Sequence, residues 1–164
     1  MHVHELEALA ARIALIDAER EILRTLYTFG HSIDHGPPEA WVDCFTEDGV
    51  FEVRRRAGTA ASFVVSGRSE LKPFARGHSR APQVWRKHML VEPLIEIDGD
   101  TATCLSYMFG LNDHDGRPTL GVFGRYLDRL VRCDDGRWRI RERIAETESR
   151  LDELPLGPGG HTGN

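Results

Sequence analysis

Three Asp-Gly turns, at Asp98-Gly99, Asp115-Gly116 and Asp135-Gly136, divide the second half of the chain into long β-rich runs. Short turns of this kind fold a strand back onto its neighbour. The runs they separate, roughly 84–98, 100–112, 118–133 and 137–149, therefore predict an antiparallel meander. Two shorter strand signals come before it, VFEVRR and ASFVVSG, and SELKPFARGHS reads as a short helix with Pro73 in its first turns.

The first third has a different period. Leu6, Leu9, Ile13 and Ile16 recur at steps of three and four, which is a helical stripe. Asp17 is placed to cap a second helical segment from Ala18, which carries Ile22, Leu26, Phe29 and Ile33. Gly36-Pro37-Pro38 ends it. PPEAWVDCF suits a short helix that stops before a turn at Glu47-Asp48-Gly49.

Helices first and a meander after them make an α+β fold. The expected form is a cone-shaped curved antiparallel sheet, an α+β barrel enclosing a pocket, with the N-terminal helices in its concavity. One detail favours curvature. His88 and Leu90 have opposite strand parity to Ile95 and Ile97, and a bulge near Glu92-Pro93 would bring both pairs to the inner face. At 164 residues the chain suits one domain, residues 1–150, followed by a Gly- and Pro-rich flexible tail, 151–164.

Composition narrows the function. A net charge of -5, with arginines interspersed among acids, argues against a nucleic-acid partner. No apolar run reaches the roughly 18 residues of a membrane span, and MHVHELEALAARIALI lacks the pattern of a signal peptide. Cys44, Cys104 and Cys133 are isolated, which suits reduced, buried thiols. A cytoplasmic protein without membrane contact is the expectation. No P-loop or G-x-G-x-x-G pattern is present, so no nucleotide is implied.

The stretch HSIDHG, residues 31–36, holds the polar groups of greatest interest. It has three readings: a metal site, a catalytic carboxylate with incidental histidines, or the polar end of a helix. Zinc on His31 and His35 would need a third ligand, and Asp34 points about 100° away from His35 on a helix. The expectation is no metal. Tyr27, His31 and Asp34 share one face at i, i+4 and i+7. His88, on a strand face with Leu90, needs a hydrogen-bond partner if it points into the concavity. A carboxylate from the helix would supply one. Further along, Cys104, Ser106 and Met108 share a strand face, as do Gly124 and Tyr126. Gly124 would allow close approach of a ligand or a bend in the sheet. The three tryptophans, Trp41, Trp85 and Trp138, suit the core or a pocket wall.

Tyr27…Asp34, WVDCFTEDGVFEV, His88, IEIDGDTATCLSY and GRYLDRLVRCDDGRWRIRERI together resemble the SnoaL-like branch of the nuclear transport factor two-like superfamily, over roughly residues 5 to 150. The resemblance implies a cone-shaped barrel with a deep apolar pocket. Scytalone dehydratase, bile-acid dehydratase and hexachlorocyclohexane dehydrochlorinase in this superfamily use an Asp–His dyad, which falls on Asp34 and His88. A helical tyrosine falls on Tyr27. A last-strand arginine falls on Arg143, whose parity differs from that of Trp138 and Ile140 and so calls for a bulge. The implied function is a cofactor-independent lyase or isomerase acting on a small hydrophobic molecule, with elimination of water favoured. Catalysis is expected from Asp34, His88, Tyr27 and Arg143, and a pocket from His31, Leu90, Ser106, Met108, Gly124 and Tyr126. The alternative is a non-catalytic binding or structural subunit, like the small subunit of ring-hydroxylating dioxygenases. The resemblance also implies a homodimer or homotrimer.

Overall fold

The computed structural model describes residues 3–56 and 58–149. Helix α1 runs from Val3 to Asp34, α2 from Pro38 to Val42 and α3 from Gly67 to Gly77. Six strands follow the order β1 Phe45–Arg55, β2 Ala61–Ser66, β3 Arg86–Asp98, β4 Thr101–His114, β5 Arg117–Arg132 and β6 Trp138–Thr147. They form one curled, unclosed sheet in the order β2-β1-β6-β5-β4-β3, so β2 and β3 are its free edges. The fold is α+β, with the second half of α1 in the concavity. The residues of the C-terminal tail, 151–164, lie outside those described.

Strands β3 to β6 form the expected meander, each antiparallel to the next. The sheet as a whole is mixed, because β1 pairs with β6 in parallel. That pairing joins segments far apart in sequence, and no turn signal could announce it. Glu47-Asp48-Gly49 is not a turn ahead of a strand. It lies within β1, where Phe45 pairs with Ile140 but Val50 already pairs with Glu142. A Cβ at Gly49 would meet the Phe45 side chain at 2.8 Å, so this irregular stretch packs tightly on its own strand.

Two bulges set which side chains face inward. In β3 the register shifts between Val91 and Leu94, and Glu92 takes a positive φ of 52°. His88 and Leu90 thereby share the inner face with Ile95 and Ile97. In β6 the shift falls opposite Arg129 and Leu130, so Arg141 is the extra residue. Trp138, Ile140 and Arg143 all end on the buried side.

Helix α1 is continuous. Asp17 lies in its middle and does not cap a second segment. Ile22, Leu26, Phe29 and Ile33 are buried, whereas Leu6, Leu9, Ile13 and Ile16 are exposed. Only the second half of the helix therefore belongs to the core. Thr25 ties that half to the sheet by donating to the Trp138 carbonyl at 2.7 Å. Around Phe29 the core is aromatic, with Trp41, Phe45, Phe51 and Tyr126 at centroid distances of 5.4 to 6.0 Å. Trp41 and Trp138 are buried, but Trp85 is exposed, with its ring 6.0 Å from that of His35.

Candidate functional site

Helix α1 reaches the free edge of the sheet at Gly30. A Cβ there would stand 2.6 Å from the His88 carbonyl oxygen. Without that carbon the helix lies directly on β3, and Asp34, one turn further along, meets the same strand residue. One Asp34 oxygen accepts the His88 backbone N–H at 2.8 Å. The other lies 2.6 Å from His88 Nδ1. Asp34 is 3% exposed and His88 27% exposed at the side chain. A buried carboxylate holding Nδ1–H leaves Nε2 as the basic nitrogen of a neutral imidazole.

The loop after α3 closes the same corner. Ala81 N–H donates to the Asp34 carbonyl at 3.0 Å, and Arg80 Nη1 donates to the Gly36 carbonyl at 2.9 Å. At the start of this loop is His78, whose ring centroid is 5.6 Å from that of His88. Its N–H caps α3 by donating to the Phe74 carbonyl at 3.1 Å. Its Nε2 is buried and has no hydrogen-bond partner among the described residues. Burial lowers the His78 pKa from 6.5 to about 4, and the neighbouring His88, Arg86 and Arg80 add to the effect against the opposing Asp34. His78 is therefore neutral at ordinary pH.

A cleft of about 460 Å³ opens between α1 and the edge strand. Of the residues singled out in the sequence, it gathers Tyr27, His31, Asp34, His88 and Leu90. Leu26, Gly30, His35, Lys87 and Met89 complete the wall. Tyr27 is half exposed at its rim. Lys87 Nζ donates to His35 Nε2 at 2.7 Å, which engages His35 away from the dyad. A wider depression of about 840 Å³ on the outer side of α1 shares Tyr27, His31 and His35 but includes neither dyad residue. Chemistry, not size, makes the smaller cleft the candidate site.

The other expected residues stand elsewhere. Ser106, Met108 and Tyr126 are buried on the inner face of β4 and β5 and do not line the cleft. At Gly124 the place of a Cβ is taken by the Glu146 carbonyl, so the glycine answers strand packing and not a ligand. Arg143 is fully buried. Its Nε and Nη2 donate to the two Asp128 oxygens, each at 2.7 Å, and its guanidinium lies 4.1 Å from the Phe29 ring centre and 4.2 Å from that of Tyr126. Arg143 is a core residue with its charge paired, and it lines no part of the cleft. Burial raises the Cys44 and Cys104 thiols to about 12, so neither is a nucleophile at neutral pH.

Three residues that matter here were not picked out from the sequence. Asp128 carried a usable signal, an acid at the same parity as Tyr126 and Leu130. Gly30 and His78 carried none, since one is a helical glycine and the other follows a helix end. Among the described residues, no three His, Cys, Asp or Glu side chains are grouped to hold a metal ion. Among the described residues, no helix is long and apolar enough to cross a membrane.

A family model described as a SnoaL-like domain matches residues 14–144. Among solved structures, a single-substitution variant of Rv3472, a protein of unknown function from Mycobacterium tuberculosis, is 28% identical. It has a TM-score of 0.72 and aligns over 90% of this chain and 80% of its own. A nuclear transport factor two-like protein with a cystatin-like fold, from Novosphingobium aromaticivorans, is 22% identical with a TM-score of 0.73, over 96% of this chain and 95% of its own. A candidate scytalone dehydratase from the same organism is 22% identical with a TM-score of 0.66, over 85% and 89%. No curated protein matches the sequence.

Proposed function

The chain belongs to the SnoaL-like domain family, and from that premise we propose that it is a lyase or isomerase in which His88 is the general base for a small hydrophobic substrate. The observation that carries this reading is the double hold of Asp34 on His88, through the ring and through the backbone. A histidine kept only for packing needs neither a fixed tautomer nor a buried carboxylate behind it.

The mechanism follows from the atoms. His88 Nε2 takes a proton from a carbon made acidic by an adjacent carbonyl. Asp34 stabilises the imidazolium as it forms. The released electron pair forms a carbon–carbon double bond, and a hydroxyl on the next carbon leaves as water with the proton that His88 Nε2 has taken up, which restores the neutral base. Where no leaving group is present, the pair rests on the carbonyl oxygen as an enolate, and the proton returns at another carbon. Tyr27, which lines the cleft at its rim, supports the departing oxygen in this reading. Elimination of water is the favoured outcome. This chemistry draws on the chain's own acids and bases and requires no bound cofactor.

Proton abstraction can be measured without knowing the natural substrate. 2-Tetralone is a small apolar ketone with acidic α-hydrogens. In deuterated buffer the wild-type protein is expected to accelerate its deuterium uptake, read by mass spectrometry. His88→Gln and Asp34→Asn should each lower that rate by roughly 100-fold or more, the usual scale for a general base. A His88→Gln protein with wild-type exchange would exclude His88 as the base.

A further inference from the structure

We infer that the substrate of this site carries a carboxylate, which the Lys87 ammonium binds at the mouth of the cleft while His88 reaches the acidic carbon. The inference rests on the reading of His88 as base and names the class of molecule that base acts on, a small hydrophobic keto acid.

The wall of the cleft points to this class. Lys87 and His88 are successive residues of β3, so their side chains leave the strand on opposite faces. Both nevertheless line the cleft, because β3 is an edge strand and the long lysine chain turns back across that edge to α1. Lys87 is exposed, yet its Nζ is held by two acceptors, His35 Nε2 at 2.7 Å and the Arg86 carbonyl at 3.1 Å. An ammonium has three N–H donors. Two are engaged here, and Lys87 makes no ion pair with a carboxylate among the described residues.

The charges around it have the same sense. The chain carries a net charge of -5, yet Asp34 is the one acid among the described residues that line the cleft. Both of its oxygens are taken by His88, and its side chain is 3% exposed. The wall therefore presents a cation with no counter-ion of its own. A lysine kept only for solubility would extend into water and gain little from being fixed against a neutral imidazole. A substrate carboxylate supplies the third acceptor and balances the charge. Leu26, Met89 and Leu90 give the rest of the wall its apolar surface, which suits a hydrophobic body with one anionic end.

A grip at the mouth also serves the reaction. Binding energy from a group remote from the reacting carbon fixes the orientation in which the ketone presents its α-hydrogen to His88 Nε2. The proton passes to Nε2 and the electron pair to the enolate, and Lys87 exchanges no proton or electron with the substrate.

The test compares 2-tetralone-6-carboxylate with its methyl ester, which keeps the rings and the ketone but not the charge. Calorimetry on the full chain at low salt should show the acid binding about 5- to 10-fold more tightly, the scale of one partly exposed hydrogen bond between charged groups. The preference should shrink as salt is added. Lys87→Met should bring the acid-to-ester ratio close to one, and Lys87→Arg should keep it above one. In deuterium exchange the same preference should appear in KM, with kcat alike for acid and ester. Equal affinity for acid and ester in the wild type overturns the inference, and so does a preference that survives in Lys87→Met. If equal affinity accompanies loss of exchange in His88→Gln, the base assignment stands without the carboxylate site. If the preference depends on Lys87 while His88→Gln exchanges like the wild type, the carboxylate site stands and the base assignment falls.

Discussion

His78 takes up a proton near pH 4 in the folded protein, against an ordinary value of 6.5. Between those values the unfolded chain binds more protons than the native one. Stability therefore falls as pH drops through this window and is fully retained above it. Burial sets most of the shift, His88, Arg86 and Arg80 add to it, and Asp34 opposes them. Urea denaturation at pH 7 and at pH 4.5 should show a loss of stability in the wild type. His78→Phe should lose less over the same interval. An equal loss in both proteins would place the acid sensitivity elsewhere. His78 also shows why part of the site was illegible in the sequence. Periodicity marks residues that recur on a face, and a residue just past a helix end belongs to no face. Asp34 and His88 were legible because each stands on a regular element whose inner face could be counted. Arg143 could reach the inner face only through a bulge, which β6 supplies, but its partner decides what it does there. With both Asp128 oxygens bound, its charge supports Phe29 and Tyr126 in the core.

At the scale of elements, the site depends on how closely α1 approaches β3. Replacing Gly30 by alanine improves helix propensity by about 1 kcal/mol. The added carbon would stand 2.6 Å from a backbone oxygen, which cannot turn aside like a side chain. Overpacking of this kind costs about 1–3 kcal/mol, and the helix end must lift, stretching both bonds from His88 to Asp34. Gly30→Ala should therefore lose more in 2-tetralone exchange than in thermal stability. A variant with normal exchange would show that the dyad tolerates a displaced helix. The long strands were legible because turn residues bracket them, and the β3 bulge because its apolar residues change parity. The irregular stretch in β1 was misread, since Glu47-Asp48-Gly49 has the residues of a turn. Its role as a bulge comes from pairing with β6, a partner close to the other end of the domain. Local composition carries no information about that neighbour.

At the scale of the molecule, the convex face of the sheet is unusually apolar. Leu94 is 68% exposed and Tyr107 51%, and Met89, Leu105 and Phe123 adjoin them on neighbouring strands. Contiguous apolar surface on this scale commonly marks an interface. Sedimentation of the purified chain should show a homodimer or homotrimer, and Tyr107→Glu or Leu94→Glu should shift it toward monomer. A monomeric wild type would refute this. The exposed first half of α1 was legible as a helix but not as a projection. Its stripe at Leu6, Leu9, Ile13 and Ile16 has the same spacing as the buried one.

The bond from the His88 backbone to Asp34 has a consequence beyond the orientation of the ring. Strand β3 is a free edge, and an unpaired edge N–H is an invitation to another chain. Asp34 occupies that N–H with a buried carboxylate, so the group that orients the His88 ring also guards the sheet against strand addition. Its two duties would part company over evolutionary time. A descendant without the proposed reaction could discard the imidazole freely, yet it would still need an acceptor at the edge. Within such a lineage, an acid at position 34 would mark ancestry and solubility, and the histidine at 88 would mark an enzyme still at work.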